Sequence, residues 1–174
     1  MEALLSSARS ALETGDLAAG INALKRSYET RPDAVSARNL ALAYLQLGDL
    51  SESRRLLGEA LQLSPRDAVI HNYLGLLESR EGKRQLAQQY FERAVALDSS
   101  FVDALYNAGV VAASLGEADL SVRRFKEALT LGDSVRVHEA LAAVLERAGR
   151  LEEAKQEFDA AERLRRDVRL NNAR

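Results

Sequence analysis

The chain has 174 residues, a formal net charge of −2 from 24 basic and 26 acidic residues, and no cysteine. The lack of cysteine excludes disulfides, thiolate nucleophiles and cysteine-ligated metal centres, and the near-neutral charge argues against a nucleic-acid partner. Alanine and leucine, with 29 residues each, fill one third of the positions, whereas aromatic residues make up 5 %, so the composition favours helices over strands. No apolar run approaches the roughly 18 residues of a membrane span, and none is predicted.

Glycines at a nearly constant spacing divide the chain into five periods. The intervals between them are 33, 34, 34 and 33 residues, and the glycines are Gly15, Gly48, Gly82, Gly116 and Gly149. A glycine at the end of a helix can adopt a positive φ and close the turn into the next helix. Pro32 and Pro65 each lie 17 residues beyond one of these glycines and mark linkers. Each period is therefore predicted to hold two helices joined by a short turn.

Two further positions keep the same period and predict how the helices pack. Seven residues before each glycine stands a small residue: Ala8, Ala41, Gly75, Gly109 or Ala142. Nine residues after each glycine stands a bulky apolar residue: Leu24, Leu57, Phe91, Phe125 or Phe158. Small residues let two helix axes approach closely, and the bulky side chains fill the space between helix pairs.

This pattern resembles the tetratricopeptide repeat, a helix–turn–helix unit of about 34 residues. The clearest copy is AVIHNYLGLLESREGKRQLAQQYFERAVALDSSF, residues 68–101, with its first helix (helix A) expected over 68–81 and its second (helix B) over 84–97. The resemblance implies an all-α fold, a right-handed superhelical α-solenoid of about five such units in a single domain over residues 1–174. The predicted units are 1–33, 34–67, 68–101, 102–134 and 135–167, followed by a short C-terminal tail, 168–174. The first unit has Ser7 and Gly20 where the family usually has leucine and alanine, and it is expected to be an end cap.

The search for catalytic motifs finds none. His71 and His138 occupy equivalent positions 67 residues apart, too far to share one metal ion, so both are expected to be partly buried packing side chains. Glycine-rich phosphate loops, GxGxxG, GxSxG and HExxH are all missing from the sequence. We therefore predict a chain that is not an enzyme and that uses no cofactor and no metal. The arginines near the C-terminus are expected to complement the dipole at the end of the last helix, and the alternative is a docking site for an anionic group; they are Arg163, Arg165, Arg166, Arg169 and Arg174.

The resemblance implies that helix A residues face the concave side of the superhelix and form a ligand groove. The fifth and ninth positions of a unit are four residues apart and share one helical face. The predicted peptide-binding residues of the three middle units are Arg38, Asn39, Leu42, Gln46, Asn72, Tyr73, Leu76, Arg80, Tyr106, Asn107 and Val110. Asparagine can bind the backbone of an extended peptide, tyrosine offers a flat contact surface, and leucine and valine supply an apolar floor. The alternative is that the asparagines only brace neighbouring units.

The predicted function is a non-catalytic scaffold that binds a protein or peptide segment in this groove. The carboxylate clamp of the family's chaperone adaptors is not expected, because no lysine lies in a predicted helix A and Leu5 and Arg9 replace its lysine and asparagine. Two alternatives stay open: a self-assembling array, in which Leu164, Val168 and Leu170 join copies into a homo-oligomer, and an accessory region of a larger enzyme. The N-terminus has no secretory signal, so a cytoplasmic location is expected, with an excised periplasmic domain as the alternative.

Overall fold

The computed structural model describes residues 17–172 of the chain. This range contains nine α-helices and no β-strand: α1 Leu17–Thr30, α2 Ala34–Leu47, α3 Leu50–Leu63, α4 Ala68–Arg80, α5 Arg84–Leu97, α6 Val102–Ser114, α7 Ala118–Leu131, α8 Val135–Arg147 and α9 Leu151–Asn172. The predicted all-α solenoid is confirmed. The predicted helix A of the first unit lies outside the described residues, as do Leu5, Ser7, Ala8, Arg9, Gly15 and Arg174.

A left-handed glycine closes the turn within each helix pair. The φ angles lie between +74° and +89° at Gly48, Gly82, Gly116 and Gly149. Directly after Gly48, the amide of Asp49 donates a hydrogen bond to the carbonyl oxygen of Tyr44 (2.9 Å). This bond gives a partner to a carbonyl group in the last turn of α2. Glycine suits this position because a positive φ strains residues that carry a Cβ. The spacing of these glycines therefore produces the helix pairs α2–α3, α4–α5, α6–α7 and α8–α9.

The helix pairs stack on one another with the first helix of each pair on the inside. The inner helices α2, α4, α6 and α8 contact one another in series, whereas no two of the outer helices α1, α3, α5, α7 and α9 contact each other within residues 17–172. Because the inner helices of successive pairs lie closer together than the outer helices, the stack curves toward the inner helices. The inner helices therefore line the concave face.

The core runs between the inner and outer layers. One apolar cluster spans α1 to α4 and a second spans α5 to α9, and Leu76 packs against both. The small and bulky positions meet as the sequence predicts, because Phe91 packs on Gly75 and Phe125 packs on Gly109. A Cβ on either glycine would lie 2.6 Å from the ring, so the two helices of each of these pairs approach each other closely at the glycine.

Asp33 caps the start of α2 and gives a first testable prediction. Its Oδ1 accepts a hydrogen bond from the amide of Ser36 (2.8 Å), and Ser36 Oγ accepts one from the amide of Asp33 (3.1 Å). The first of these bonds is the main cause that lowers the pKa of the Asp33 carboxyl below its usual value of 3.8. We expect Asp33→Ala to reduce the free energy of unfolding by about 1 kcal/mol at neutral pH, and Asp33→Asn, which keeps an acceptor, to stay near the parent.

The pH dependence of this cap follows from the direction of the pKa shift. Because the pKa is lower in the folded chain than in the unfolded chain, the stabilisation is present above the usual carboxyl pKa and is lost as the pH falls through the folded value. Urea denaturation at about pH 7 and about pH 3 should therefore give a smaller effect of Asp33→Ala at the lower pH. An equal effect at both pH values would contradict this account of the cap.

Candidate functional site

The concave face brings the predicted groove residues onto three neighbouring helices. In each predicted unit the fifth and ninth positions are one helical turn apart, so they point to the same side of the inner helix. The residues lie on α2 (Arg38, Asn39, Leu42, Gln46), on α4 (Asn72, Tyr73, Leu76, Arg80) and on α6 (Tyr106, Asn107, Val110). The contacts of α2 with α4 and of α4 with α6 place the three sets side by side.

The two asparagines at the centre of the face bind each other. Asn107 Nδ2 donates a hydrogen bond to Asn72 Oδ1 over 2.9 Å, which links α6 to α4. The Asn72 side chain is buried, with 3 % of the residue exposed. Since a buried, hydrogen-bonded amide stabilises the interface between repeats, this pair acts as a brace.

Two arginines of the predicted groove also tie neighbouring repeats together. Arg38 on α2 forms an ion pair and hydrogen bond with Asp67, whose carboxylate caps the start of α4 by accepting from the amide of Val69 (2.8 Å). Arg80 on α4 reaches back to the end of α2, where its Nη1 donates to the carbonyl oxygen of Leu45 (2.7 Å). An arginine side chain therefore links α2 to α4 at each end of their contact.

Tyr106 lies under a cation from the next repeat. Its ring centroid is 5.7 Å from that of Phe125, and the guanidinium carbon of Arg136 on α8 lies 4.0 Å from the centroid of the Tyr106 ring. Arg136 also pairs with Asp103 (Nη2–Oδ1 2.9 Å). The cation–π contact and this ion pair together connect α6 to α8.

Three other polar residues of the predicted groove form no hydrogen bond or ion pair between repeats. Within residues 17–172, the side chains of Asn39, Gln46 and Tyr73 make no hydrogen bond to another group of the chain. Tyr73 is half-buried, and its desolvation raises the pKa of the phenol above 10.0. Leu42 and Leu76 are half-buried on the same face, and Val110 is 43 % exposed. The concave face therefore offers an apolar row flanked by unused donors and acceptors.

Two residues of this face were missed by the sequence analysis. Val35, at the second position of its unit, is 42 % exposed and lies one helical turn before Asn39. Arg136 holds the equivalent position on α8 and covers Tyr106. Both residues stand at the second position of their predicted units, and the resemblance to the family implies that this position faces the groove, so the repeat register was a sufficient signal for both.

Both histidines are engaged in local contacts. His71 Nε2 lies 3.0 Å from the carbonyl oxygen of Pro65, His138 Nδ1 lies 2.6 Å from Glu157 Oε2, and each residue is 8 % exposed. In the part of the chain that the structure describes, no group of three or more metal-ligating side chains comes together. In the same part, no helix has the length and apolar character needed to cross a bilayer.

The fold and the concave face define a class of protein, the α-solenoids assembled from stacked helix pairs. Two family models, both described as tetratricopeptide repeat, match residues 11–77 and 74–134, which is a continuous match over more than half of the chain. The chain belongs to the tetratricopeptide-repeat family. Members of this family are generally non-catalytic modules for protein–protein interaction.

Individual proteins show the same likeness. The human tetratricopeptide repeat protein 7A is 36 % identical over 84 residues, which are 48 % of this chain and 10 % of that protein, so the chain spans about a tenth of that relative's length. A crystal structure of MamA has a TM-score of 0.77 at 22 % identity, over 93 % of this chain and 96 % of that one. PilF from Pseudomonas aeruginosa has a TM-score of 0.83 at 19 % identity, over 93 % of this chain and 75 % of that one. At these identities the two solved structures show the fold alone.

Proposed function

We propose that the chain is a non-catalytic scaffold that binds an extended segment of a partner protein across α2, α4 and α6. The observation that carries the proposal is the apolar row of Leu42, Leu76 and Val110, beside which Asn39 and Tyr73 have unused polar groups. An apolar floor contributes affinity through burial, and polar groups beside it can bind the backbone of the segment. Interfaces with an apolar centre and a polar border are typical of protein recognition.

The braces of the concave face support this function indirectly. The Asn72–Asn107 bond and the Arg38–Asp67 pair join the inner helices before any partner binds. A surface that is already ordered loses less conformational entropy on binding, so more of the contact energy appears as affinity. The predicted groove residues therefore divide into braces that hold the face and contact residues that are available to a partner.

The size of the face sets the length of the probe. Three inner helices at an interaxial spacing of about 9 Å span about 28 Å, including the width of a helix. An extended peptide rises about 3.3 Å per residue, so about eight residues cross the face. A phage-displayed library of random peptides of about 12 residues provides ligands of sufficient length. A peptide selected on the unmodified chain is then labelled for fluorescence anisotropy.

The decisive variant is Val110→Asp, because it places a charge at the most exposed residue of the apolar row and leaves every brace residue unchanged. We expect it to weaken binding of the selected peptide by about tenfold or more. The matched control is Leu86→Asp, since Leu86 is 37 % exposed and lies on the outer helix α5. Equal affinities of the two variants would contradict the proposed function. A triple variant of Asn72, Tyr73 and Tyr106 is a poorer probe, because Asn72 and Tyr106 also hold the repeats together.

A further inference from the structure

One face of α9 carries a row of four exposed residues. Leu151, Lys155, Phe158 and Glu162 follow one another at intervals of four, three and four residues, so they share one helical face. All four are exposed, and the exposed fractions of Leu151 and Phe158 are 64 % and 41 %. The side of α9 that adjoins this row packs on α8 through Ala154 and Ala161 and is buried.

The repeat register shows why this row is uncovered. Phe158 is equivalent to Phe91 and Phe125, which are 2 % and 1 % exposed because the next helix pair packs over them. No helix follows α9 within residues 17–172. The row is therefore the surface that each internal repeat uses to bind its successor.

The row carries two charged residues where the preceding outer helix, α7, carries apolar ones. Thirty-three residues earlier on α7, the equivalents of Lys155 and Glu162 are Val122, which is 6 % exposed, and Leu129, which packs against the core. Lys155 and Glu162 lie on either side of Phe158, and neither forms an ion pair within the described residues. The end of the stack thus presents an aromatic centre with one unpaired cation and one unpaired anion beside it.

We propose that this row binds the same row of a second copy of the chain. If two α9 helices lie antiparallel with Phe158 against Phe158 of the second copy, Lys155 of each copy faces Glu162 of the other. A two-fold axis between the rings then generates two equivalent ion pairs around an aromatic contact. A parallel arrangement would instead place like charges together, so the sequence of the row selects the antiparallel dimer.

The dimer is expected to be weak. A stable interface buries about 800 Å² on each partner, and the row extends over about three turns of one helix. We therefore expect the dimer to form only at high protein concentration. The ion pairs are exposed, so salt weakens the dimer.

Charge exchange tests the proposal without altering buried residues. Light scattering should show the mass of the unmodified chain rising from 19.1 kDa toward twice that value as the concentration increases. Lys155→Glu and Glu162→Lys should each remain monomeric, because each row then carries two like charges. A mixture of these two variants should form a heterodimer, and the variant with both substitutions should dimerise like the unmodified chain.

Further variants separate this face from other surfaces. Glu152→Lys changes the charge by the same amount on another side of α9 and should leave the dimer intact, as should the groove variant Val110→Asp. Phe158→Asp should abolish it. A constant mass of 19.1 kDa at all concentrations would overturn the proposal, and so would dimers that persist in Lys155→Glu and in Phe158→Asp. Peptide binding in the groove is measured separately, so its failure is distinguishable from the failure of the dimer.

Discussion

Replacing Gly75 or Gly109 by alanine is expected to lower the free energy of unfolding by about 1–3 kcal/mol. The added Cβ would lie 2.6 Å from a ring carbon of Phe91 or Phe125, closer than carbon atoms approach without repulsion. Both rings are almost fully buried, so neither can move away without disturbing the core. Alanine is favoured over glycine inside a helix by about 1 kcal/mol, and the steric term must exceed this gain.

Gly58→Ala is the matched control for these variants. Gly58 also lies inside a helix, α3, but a Cβ there would meet nothing within 4 Å. Its replacement should raise the free energy of unfolding by about 0.5–1 kcal/mol. In a Phe91→Leu background the cost of Gly75→Ala should shrink, because the shorter side chain leaves room for the Cβ. If Gly75→Ala stabilised the chain as much as Gly58→Ala, the tight approach between the paired helices would be disproved.

The second large effect is expected from Arg54→Ala, which should cost about 2 kcal/mol of unfolding free energy. Arg54 on α3 binds Glu78 (Nη1–Oε1 2.6 Å) at the end of α4 and Glu81 (Nη2–Oε1 2.8 Å) in the following turn. The hydrogen bond to Glu78 is the main cause that raises the pKa of Arg54 above its usual range. The Glu78 side chain is 1 % exposed, and without Arg54 its nearest cation is Lys83 at 3.6 Å. A buried carboxylate left with one distant partner is costly.

The adjacent residue Arg55 supplies the control for Arg54. It also binds two carboxylates, Glu52 (2.9 Å) and Glu59 (2.6 Å), but all three side chains are substantially exposed. Arg55→Ala should therefore cost about 0.5 kcal/mol. Adding Glu78→Gln to Arg54→Ala should recover part of the lost stability, since no buried charge remains. Equal effects of Arg54→Ala and Arg55→Ala in urea denaturation would show that the burial of Glu78 is irrelevant to stability.

The fold could be predicted from the sequence because every repeat uses the same contacts between its two helices. Gly75 with Phe91 and Gly109 with Phe125 meet as the spacing implied, since a small and a bulky residue must face each other wherever two helices of a pair cross. The turn glycines have their positive φ for the same local reason. Periodicity of this kind is visible in a single amino-acid sequence.

The roles of the groove residues depend on neighbours in other repeats and were harder to predict. Asn39 and Asn107 hold the same position in their units, yet Asn107 is tied to Asn72 of the preceding unit while Asn39 has no such partner in the described residues. The contact joins the sixth position of one unit to the fifth position of the unit before it. Two asparagines at these positions in successive units were therefore a signal for a brace.

The ends of the stack are the second place where equal positions have unequal roles. Phe158 has the register of Phe91 and Phe125 but is 41 % exposed, because burial at this position comes from the following repeat. Periodicity alone predicts the same burial for all three rings. The exposed Val168 and Leu170 near the end of α9 reflect the same absence of a covering helix within residues 17–172.

Methyl NMR of the chain with the selected peptide tests most directly whether the concave face is the binding surface. We predict that the methyl signals of Leu42, Leu76 and Val110 shift on addition of the peptide, while those of the outer-helix residues Leu63, Leu86 and Leu131 do not. Leu63, Leu86 and Leu131 are exposed and would respond to a peptide bound on the convex side. Shifts confined to these three outer residues would contradict the assignment of the concave face as the site of partner binding.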